Sequence, residues 1–514
     1  MQAVPTQTND LPVVRSCAAA RNPPAMEAMG ELILAVDSGT TSTRALAFDL
    51  SGRIVAVSQH AITQAYPAPG HVEHDAGEIW RLTDRAIREV LAETGNRVRA
   101  IGLTNQRETI VFWSRRSGEP LAPAIVWQDR RTADLCEALR EAGHEPRVQA
   151  VTGLLLDPYF SGSKIRWALE NQPQVKAAAD SGDLAIGTID CWLLHKLTGQ
   201  HLTDATNASR TLLMELETAR WSAEMLALLG VPPTALPAIC PTAGLLAETR
   251  LYGRPLLITG IAGDQQAATI GQGCSKPGLA KCTYGTGIFM LANAGPTPPV
   301  SSNRLLSTFL SSSPLAYALE GSIFVGGNAV KWLRDGLGIL DTVAESASLA
   351  SSVPDSGGVT FVPAFAGLGA PHWEPLARGL LTGLTAGTTR AHIVRATLEA
   401  MGQQTADLIE AFAADGVRPS SLRVDGGMVA NEWLCQDLAD ATGLPVERPQ
   451  SIETTGLGAA MLAGVGAGLF TTLAEAEAAM VHSDRRFEPA NSADARAARR
   501  TAWARAVEQT LAGL

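Results

Sequence analysis

The chain is poor in aromatic residues: Phe, Trp and Tyr make up 5% of its 514 residues. That leaves little material for the stacking platforms on which single-stranded nucleic acid is bound. Positive charge is also in deficit. Lys and Arg total 41 against 51 Asp and Glu, a formal net charge of −10, which argues against nucleic acid and anionic membrane as partners. No apolar run reaches the length of a membrane span. The seven Cys, at 17, 136, 191, 240, 274, 282 and 435, form no C-x-x-C pair, as expected of reduced thiols in a cytoplasmic chain. Residues 1–30 hold no continuous apolar core and so no secretory signal; they read as a disordered extension, with Met26 and Met29 as alternative starts. Common catalytic signatures are missing too. There is no G-x-x-x-x-G-K-[ST], G-x-G-x-x-G, H-E-x-x-H or G-x-S-x-G. Any phosphate must be held by another device.

Glycine, by contrast, is abundant at 48 residues, and apolar residues make up 46%. That excludes a largely disordered chain. At about 150 residues per domain, the length fits three domains or two large ones. Leu32 to Val36 is a continuous apolar run, as in a strand covered on both faces. The turn-forming group Asp37-Ser38-Gly39-Thr40-Thr41 follows, then a strand over 44–49, the turn Ser51-Gly52 and a strand over 53–58. This reads as an antiparallel meander. Helical patterns fall at 75–94, 132–142, 163–171 and 389–412. In the last, Val394, Leu398, Met401, Leu408 and Phe412 share one face. Residues 278–290 echo the strand, Gly/Thr turn, strand plan of 32–49. The echo suggests a duplicated domain with a boundary near 274–277. The Ala/Arg-rich tail over 491–512 reads as a surface helix. Alternating strands and helices give an α/β class.

Five segments could carry chemistry. In Asp37 to Arg44, Gly39 allows close backbone approach, Thr40, Thr41, Ser42 and Thr43 offer hydroxyls, and Arg44 a fixed positive charge. Asp37, at a strand end, suits a metal ion held through water. Tyr284-Gly285-Thr286-Gly287 and Val424 to Asn431 are further glycine turns after apolar strands; together the three could cradle a nucleotide. In Gly260 to Gln266, a small-residue turn leaves Asp264 free to take a proton from a hydroxyl, worth roughly 10²–10⁴-fold; capping the next helix is its plainer role. In Thr104 to Thr109, adjacent Arg107 and Glu108 offer the donor fork and acceptor pair that a small polyol needs. A surface ion pair is the plainer alternative there. Trp127, Tyr159 and Phe289 could wall such a site against C–H groups.

From about Leu32 to Phe470 these segments resemble the FGGY carbohydrate kinases, and among them the members that phosphorylate glycerol. The likeness is carried by Asp37 to Arg44, Asn105-Gln106-Arg107-Glu108-Thr109, Trp127 to Thr132, Asp157 to Gly162, Gly260 to Gln266, Tyr284 to Gly287, Pro363 to Pro371 and Asp425 to Asn431. It implies two duplicated actin/hexokinase/Hsp70-like (ribonuclease H-like) ATPase domains with a cleft between them. Residues 31–275 would form the N-terminal domain on the glycerol and phosphate side, 276–490 the C-terminal domain on the nucleotide side, and 491–514 a C-terminal helix. It implies ATP-dependent phosphorylation of glycerol to sn-glycerol 3-phosphate, with Asp264 as general base. Arg107, Glu108, Tyr159, Asp264 and Gln265 would hydrogen-bond glycerol, and Trp127 and Phe289 would pack on its carbons. Thr40, Thr41, Ser42, Arg44 and Thr286 would meet the phosphates of ATP. Gly327, Lys331, Gly427 and Asn431 would seat the nucleotide, and Asp37 and Asp264 would help place Mg²⁺. A homo-oligomer, dimer or tetramer, is the expected assembly.

Three features depart from the family pattern. His71 stands where Trp is usual. Ala243 to Pro255 lacks the Gly-Gly-Lys-Gly loop that binds fructose 1,6-bisphosphate in some members, and Met214 to Thr218 lacks the His that some members phosphorylate. Two other readings stay open: a kinase for another polyol or ketose, and an ATP switch of the same fold without enzyme activity.

Overall fold

The apolar run at Leu32 becomes the centre of a sheet. The computed structural model describes residues 30–513, so the extension expected over 1–30, save Gly30, lies outside the described residues. Strand β1 (Leu32–Ser38) is buried along its whole length. Its alternation feeds two cores: Ile33 and Ala35 face one, Leu34 and Val36 the other. β1 pairs antiparallel with β2 (Ser42–Asp49), and β2 with β3 (Ile54–Ala61), the meander read from sequence. On its other side β1 runs parallel to β4 (Val98–Asn105) and β4 parallel to β6 (Leu256–Gly263), with β5 (Ala243–Thr249) antiparallel at the edge. Helix α1 (Ala76–Thr94) brings Ala86, Ile87 and Val90 onto the second core. The Asp75 carboxylate caps it by accepting from the Gly77 N–H at 2.7 Å.

The second half repeats the plan. β7 (Leu279–Tyr284) pairs antiparallel with β8 (Ile288–Gly295), and β8 with β10 (Leu315–Ile323). β7 runs parallel to β11 (Ser421–Asp425), and β11 to β12 (Val446–Pro449). The first sheet has the order β5-β6-β4-β1-β2-β3. The second runs β9-β10-β8-β7-β11-β12-β13, with β9 (Leu306–Ser312) and β13 (Ser483–Phe487) as edge strands. The echo between 32–49 and 278–290 is thus the opening hairpin of two sheets with the same core topology. In β7 the alternation puts Ala280, Cys282 and Tyr284 into an apolar core and leaves Lys281 and Thr283 on the opposite face. The same core receives Val394, Leu398, Met401, Leu408 and Phe412 from α5 (Arg390–Ala414).

Two helices join the halves. α3 (Asp264–Gly271) follows β6 of the first sheet, buries Ala267 and Ile270 in that sheet's core, and turns its polar side chains to the second. Gln265 takes a hydrogen bond from Lys281 of β7, Gln266 Nε2 donates to Thr308 Oγ1 of β9 at 3.0 Å, and the Gln272 carbonyl accepts from Arg423 of β11. α7 (Thr454–Gly466) follows β12 of the second sheet, yet it packs on the first. Leu457 to Ala463 share a core with Ile33, Ala35 and Ala100, and the Ala463 carbonyl accepts from Thr259 Oγ1 at 2.8 Å. Residues 454–466 lie within the 276–490 expected as the C-terminal domain, and they pack on the first sheet. The C-terminal helix, α8 (Ala493–Ala512), is not simply a surface helix: Trp503, Ala506, Val507 and Thr510 are buried along one side.

Candidate functional site

The three parallel strands β1, β4 and β6 end at one level. Register sets Ser38 opposite Asn105, and Gly263 opposite Asn105 on the other side. The segments that leave them therefore converge, which is where open α/β sheets bind ligands. Those segments carry Asp37, Arg107-Glu108 and Asp264-Gln265.

Arg107 is the hub. It donates to both oxygens of Glu320, Nη1 at 2.7 Å and Nη2 at 3.0 Å. Nη2 also donates to the Tyr159 hydroxyl at 3.3 Å, and Nε lies 3.3 Å from Asp264 Oδ1. Glu108 does not answer Arg107 as its first partner: its carboxylate accepts from Arg210 Nε at 2.6 Å, against 3.9 Å to Arg107. So the pair is neither exposed nor mutual. Both side chains are buried, and each is held by a residue distant in sequence. Glu108 sits at φ 60, a left-handed conformation that costs a non-glycine residue and is tolerated here because Ser161 Oγ, at the start of α2 (Ser161–Asn171), donates to its carbonyl at 2.9 Å. Arg210 lies over the rings of Tyr159 and Phe160, 5.4 and 5.2 Å from their centroids. Its Nη1 is buried without a partner, so the cluster still has a donor to give.

The charges are tuned by burial first. Burial raises the Asp264 carboxyl above its ordinary range; Arg107 opposes this and Asp37 adds to it. Burial likewise raises Glu108 against Arg107 and Arg210. Glu320 goes the other way: burial pushes it up, but Arg107 and Arg210 overcome this and hold it at about 2, below its ordinary 4.5. A depressed carboxyl lends stability that is complete above pH 4.5 and lost as pH falls toward 2. Glu320→Gln takes the bidentate charge partner from Arg107 and leaves Arg210 with Glu108 alone, which costs about 3–5 kcal/mol. We expect its melting temperature to fall clearly below wild type at pH 7 and the gap to narrow on acidification, as followed by thermal denaturation across pH.

Asp264 opens α3 rather than capping it. The cap position is Gly263, and Asp264 Oδ1 accepts from the Gln265 N–H at 2.7 Å. Gly263 must be glycine, because a Cβ there would lie 2.7 Å from Arg107 Cγ. Asp37 accepts from Arg44 Nη2 at 2.5 Å, and Arg44 Nη1 reaches Glu453 at 2.5 Å. Of the hydroxyls expected on a phosphate, Thr40 Oγ1 accepts from the Trp127 indole N–H at 2.9 Å, Ser42 Oγ accepts from Gln59 Nε2 at 3.0 Å, and Thr41 is exposed in the turn. Trp127 meets Tyr159 edge-on, ring centroids 5.6 Å apart. Phe289 is half-buried on β8, opposite Thr283 and Ser322, and thus on the face of the second sheet that carries Lys281 and Glu320.

The remaining residues gather in the second half. The Thr286 carbonyl, in the β7–β8 turn, accepts from the Gly326 N–H at 2.9 Å. The Gly327 N–H donates to the Gly285 carbonyl at 2.8 Å and opens α4 (Gly327–Asp335). Gly427 and Asn431 line a pocket of about 620 Å³ with Ser346, Ala347, Met428 and Trp433. Asn431 also caps α6 (Glu432–Thr442), accepting from the Leu434 N–H at 3.1 Å. Lys331, exposed on α4, does not line this pocket.

Residues that sequence reading did not single out complete the polar cluster: Arg210, Gln266, Lys281 and Glu320. A signal existed for two of them. Lys281 in Leu-Ala-Lys-Cys-Thr-Tyr and Glu320 in Leu-Ala-Tyr-Ala-Leu-Glu-Gly-Ser-Ile are lone charges in otherwise apolar strands, and a buried lone charge needs a partner.

Residues 32–271 match the FGGY family of carbohydrate kinases, N-terminal domain, and residues 280–467 match its C-terminal domain. The chain belongs to the FGGY family of carbohydrate kinases. Curated FGGY relatives span the chain. The glycerol kinase of Rhodospirillum rubrum is 51% identical over 492 residues, covering 94% of this chain and 99% of its own. That of Rhodospirillum centenum is 53% identical over 496 residues, with the same coverage. Among solved FGGY structures, Plasmodium falciparum glycerol kinase with ADP superposes with a TM-score of 0.90 at 36% identity, covering 94% of this chain and 98% of that one.

Proposed function

We propose that the chain transfers the terminal phosphoryl group of ATP to glycerol, giving sn-glycerol 3-phosphate and ADP. The observation that carries this reading is the joint presence at one point of buried Arg107 and Glu108 with partly exposed Tyr159, Asp264 and Gln265, in a chain half-identical to glycerol kinases along nearly its whole length. A polyol hydroxyl both gives and takes hydrogen bonds, and this cluster offers donors and acceptors side by side. A nucleotide switch would need the pocket at Gly427 but not these groups.

In this reading Arg107, Glu108, Tyr159 and Gln265 hold glycerol, with Trp127 and Phe289 against its carbons. Asp264 accepts the proton of the attacking hydroxyl. Its carboxyl is raised by burial, which makes it a better base than an ordinary aspartate once ionised. Arg44, with Thr40, Thr41, Ser42 and Thr286, faces the phosphate tail, where a fixed charge offsets the one that builds in transfer. Gly327, Gly427 and Asn431 seat the nucleotide; Lys331 on the outer side of α4 adds charge near it. Residues 31–275 and 276–490 act as the two domains, with the helices α3 and α7 packed where they meet.

The fit to Mg²⁺ rests on two carboxyls. Among the described residues no three His, Cys, Asp or Glu side chains converge on a point. Asp37 and Asp264, however, are close enough for Asp37 to raise Asp264. Mg²⁺ on a nucleotide keeps most of its waters and takes one or two carboxylates, so this pair suits it. Bound there, it would offset phosphate charge. No helix among the described residues is long and apolar enough to cross a membrane.

The test is an ADP-release assay with glycerol beside pentuloses and other polyols. Glycerol is expected to give the highest kcat/KM; a pentulose ahead of it would overturn the substrate assignment. A second expectation concerns the nucleotide pocket. A Cβ at Gly427 would meet nothing within 4 Å, so Gly427→Ala should leave the melting temperature unchanged. It should raise the KM for ATP several-fold and leave that for glycerol alone, as steady-state kinetics would read.

A further inference from the structure

Lys281 is a fully buried cation that no step above uses. It stands on β7 with its Nζ facing α3. There it donates to Gln265 Oε1 and, at 2.8 Å, to Thr283 Oγ1. Burying an ammonium group is costly, and burial does draw its pKa down against the neighbouring Asp425. A hydrophobic residue on this face would avoid that cost, so the charge must serve an interaction.

The interaction is with an amide. A glutamine side chain has one end that accepts and one that donates, and its orientation is decided by its partners. Lysine can only donate. The Gln265 carbonyl oxygen is therefore fixed toward Lys281, and its Nε2, with two N–H donors, is turned the other way. Among the described residues Nε2 has no protein acceptor. Next to it, Asp264 is acceptor-only when ionised. The first turn of α3 thus presents an acceptor and then a donor.

We propose that Lys281, reaching from the second sheet, is a positioning residue that locks Gln265 as a hydrogen-bond donor toward the polyol. The assignment rests on the reading of the site as a glycerol site. It makes the polyol pocket depend on both halves of the chain. It also assigns polarity: one substrate hydroxyl gives its proton toward Asp264, and another accepts from Gln265 Nε2. A ligand that could not accept a hydrogen bond at that second position would lose this contact.

The experiment compares wild type, Lys281→Met and Lys281→Gln with glycerol, propane-1,2-diol and propane-1,3-diol as acceptors, alongside ADP binding by calorimetry. Met fills the space without a donor; Gln keeps a donor without the charge. Lys281→Met is expected to raise the glycerol KM about tenfold, the worth of one hydrogen bond, with the ATP KM and ADP affinity little changed. Lys281→Gln should recover most of that loss. The penalty of Lys281→Met should also shrink on the diol lacking the hydroxyl that meets Gln265, as coupled groups do in a double-mutant cycle. If Lys281→Met fails to fold, Gln265→Glu takes its place. It keeps a partner for Lys281 but loses Nε2, and its glycerol KM should rise in the same way. An unchanged glycerol KM, a penalty equal on all three acceptors, or a loss confined to kcat and the ATP KM would each overturn the assignment. Wild type that releases no ADP with glycerol would instead overturn the function itself.

Discussion

Asp264→Asn is expected to lower kcat for glycerol by about 10³-fold, within the range of a lost general base, while glycerol and ADP still bind. Asn keeps the size of the side chain and can still accept from the Gln265 N–H, so the start of α3 should hold. What it loses is the ability to take a proton. Arg107 also loses a charged neighbour at 3.3 Å, but its bidentate bond to Glu320 is untouched, so the hub should keep its place. The expected split is therefore a collapsed kcat with near-normal binding, read by steady-state kinetics and calorimetry together. Near-normal kcat would remove Asp264 as the base. Lost binding of both ligands would point instead to a structural role.

The parts of this site that sequence reveals are those whose chemistry is local. Arg107 and Glu108 are adjacent, and Asp37 to Arg44 is one continuous turn, so their meaning does not depend on the fold. The continuous apolar run of β1 and the apolar stripe of α5 are local in the same sense, and both appear where the sequence pattern puts them. Glu320 is different. Its partner Arg107 is 213 residues away, and nothing near Glu320 in the chain says that a guanidinium lies beside it. Lys281 and Arg210 are hidden for the same reason. The side-chain commitments of Thr40 and Ser42 are also tertiary, since Trp127 and Gln59 reach them from other elements.

The packing of α7 on the first sheet escapes sequence reading for another reason. α7 is Thr-Thr-Gly-Leu-Gly-Ala-Ala-Met-Leu-Ala-Gly-Val-Gly, apolar all round, and Gly456 to Gly464 are buried without a break. A helix with no polar face declares that it is buried, not against which sheet. Its glycines hold the answer. A Cβ at Gly458 would lie 1.8 Å from the Ala267 carbonyl oxygen of α3, and one at Gly271 would lie 1.9 Å from the Thr454 carbonyl oxygen of α7. On the sheet side, a Cβ at Gly102 would lie 2.2 Å from the Ala459 carbonyl oxygen. Backbone meets backbone at each of these points, so no side chain can rotate away.

Gly458→Ala is therefore expected to be among the most damaging single-methyl changes in the chain. Gly458 has no positive φ, and alanine favours helices over glycine by about 1 kcal/mol, so propensity alone predicts a gain. Sterics predict the reverse. One methyl forces α7 away from α3, opening packing on both sheets, and overpacking of that kind costs about 1–3 kcal/mol or more where backbone must shift. Activity should suffer beyond stability, because Asp264 and Gln265 are the first two residues of α3. Any displacement of that helix moves the base and its neighbour donor together, and about 1 Å of misplacement can cost 10²-fold in rate. The expected result is a melting temperature lowered by several degrees and a kcat depressed at temperatures where the fold remains intact. A variant as stable and as active as wild type would show that the two helices can part freely. The close crossing would then not be what holds the base in place.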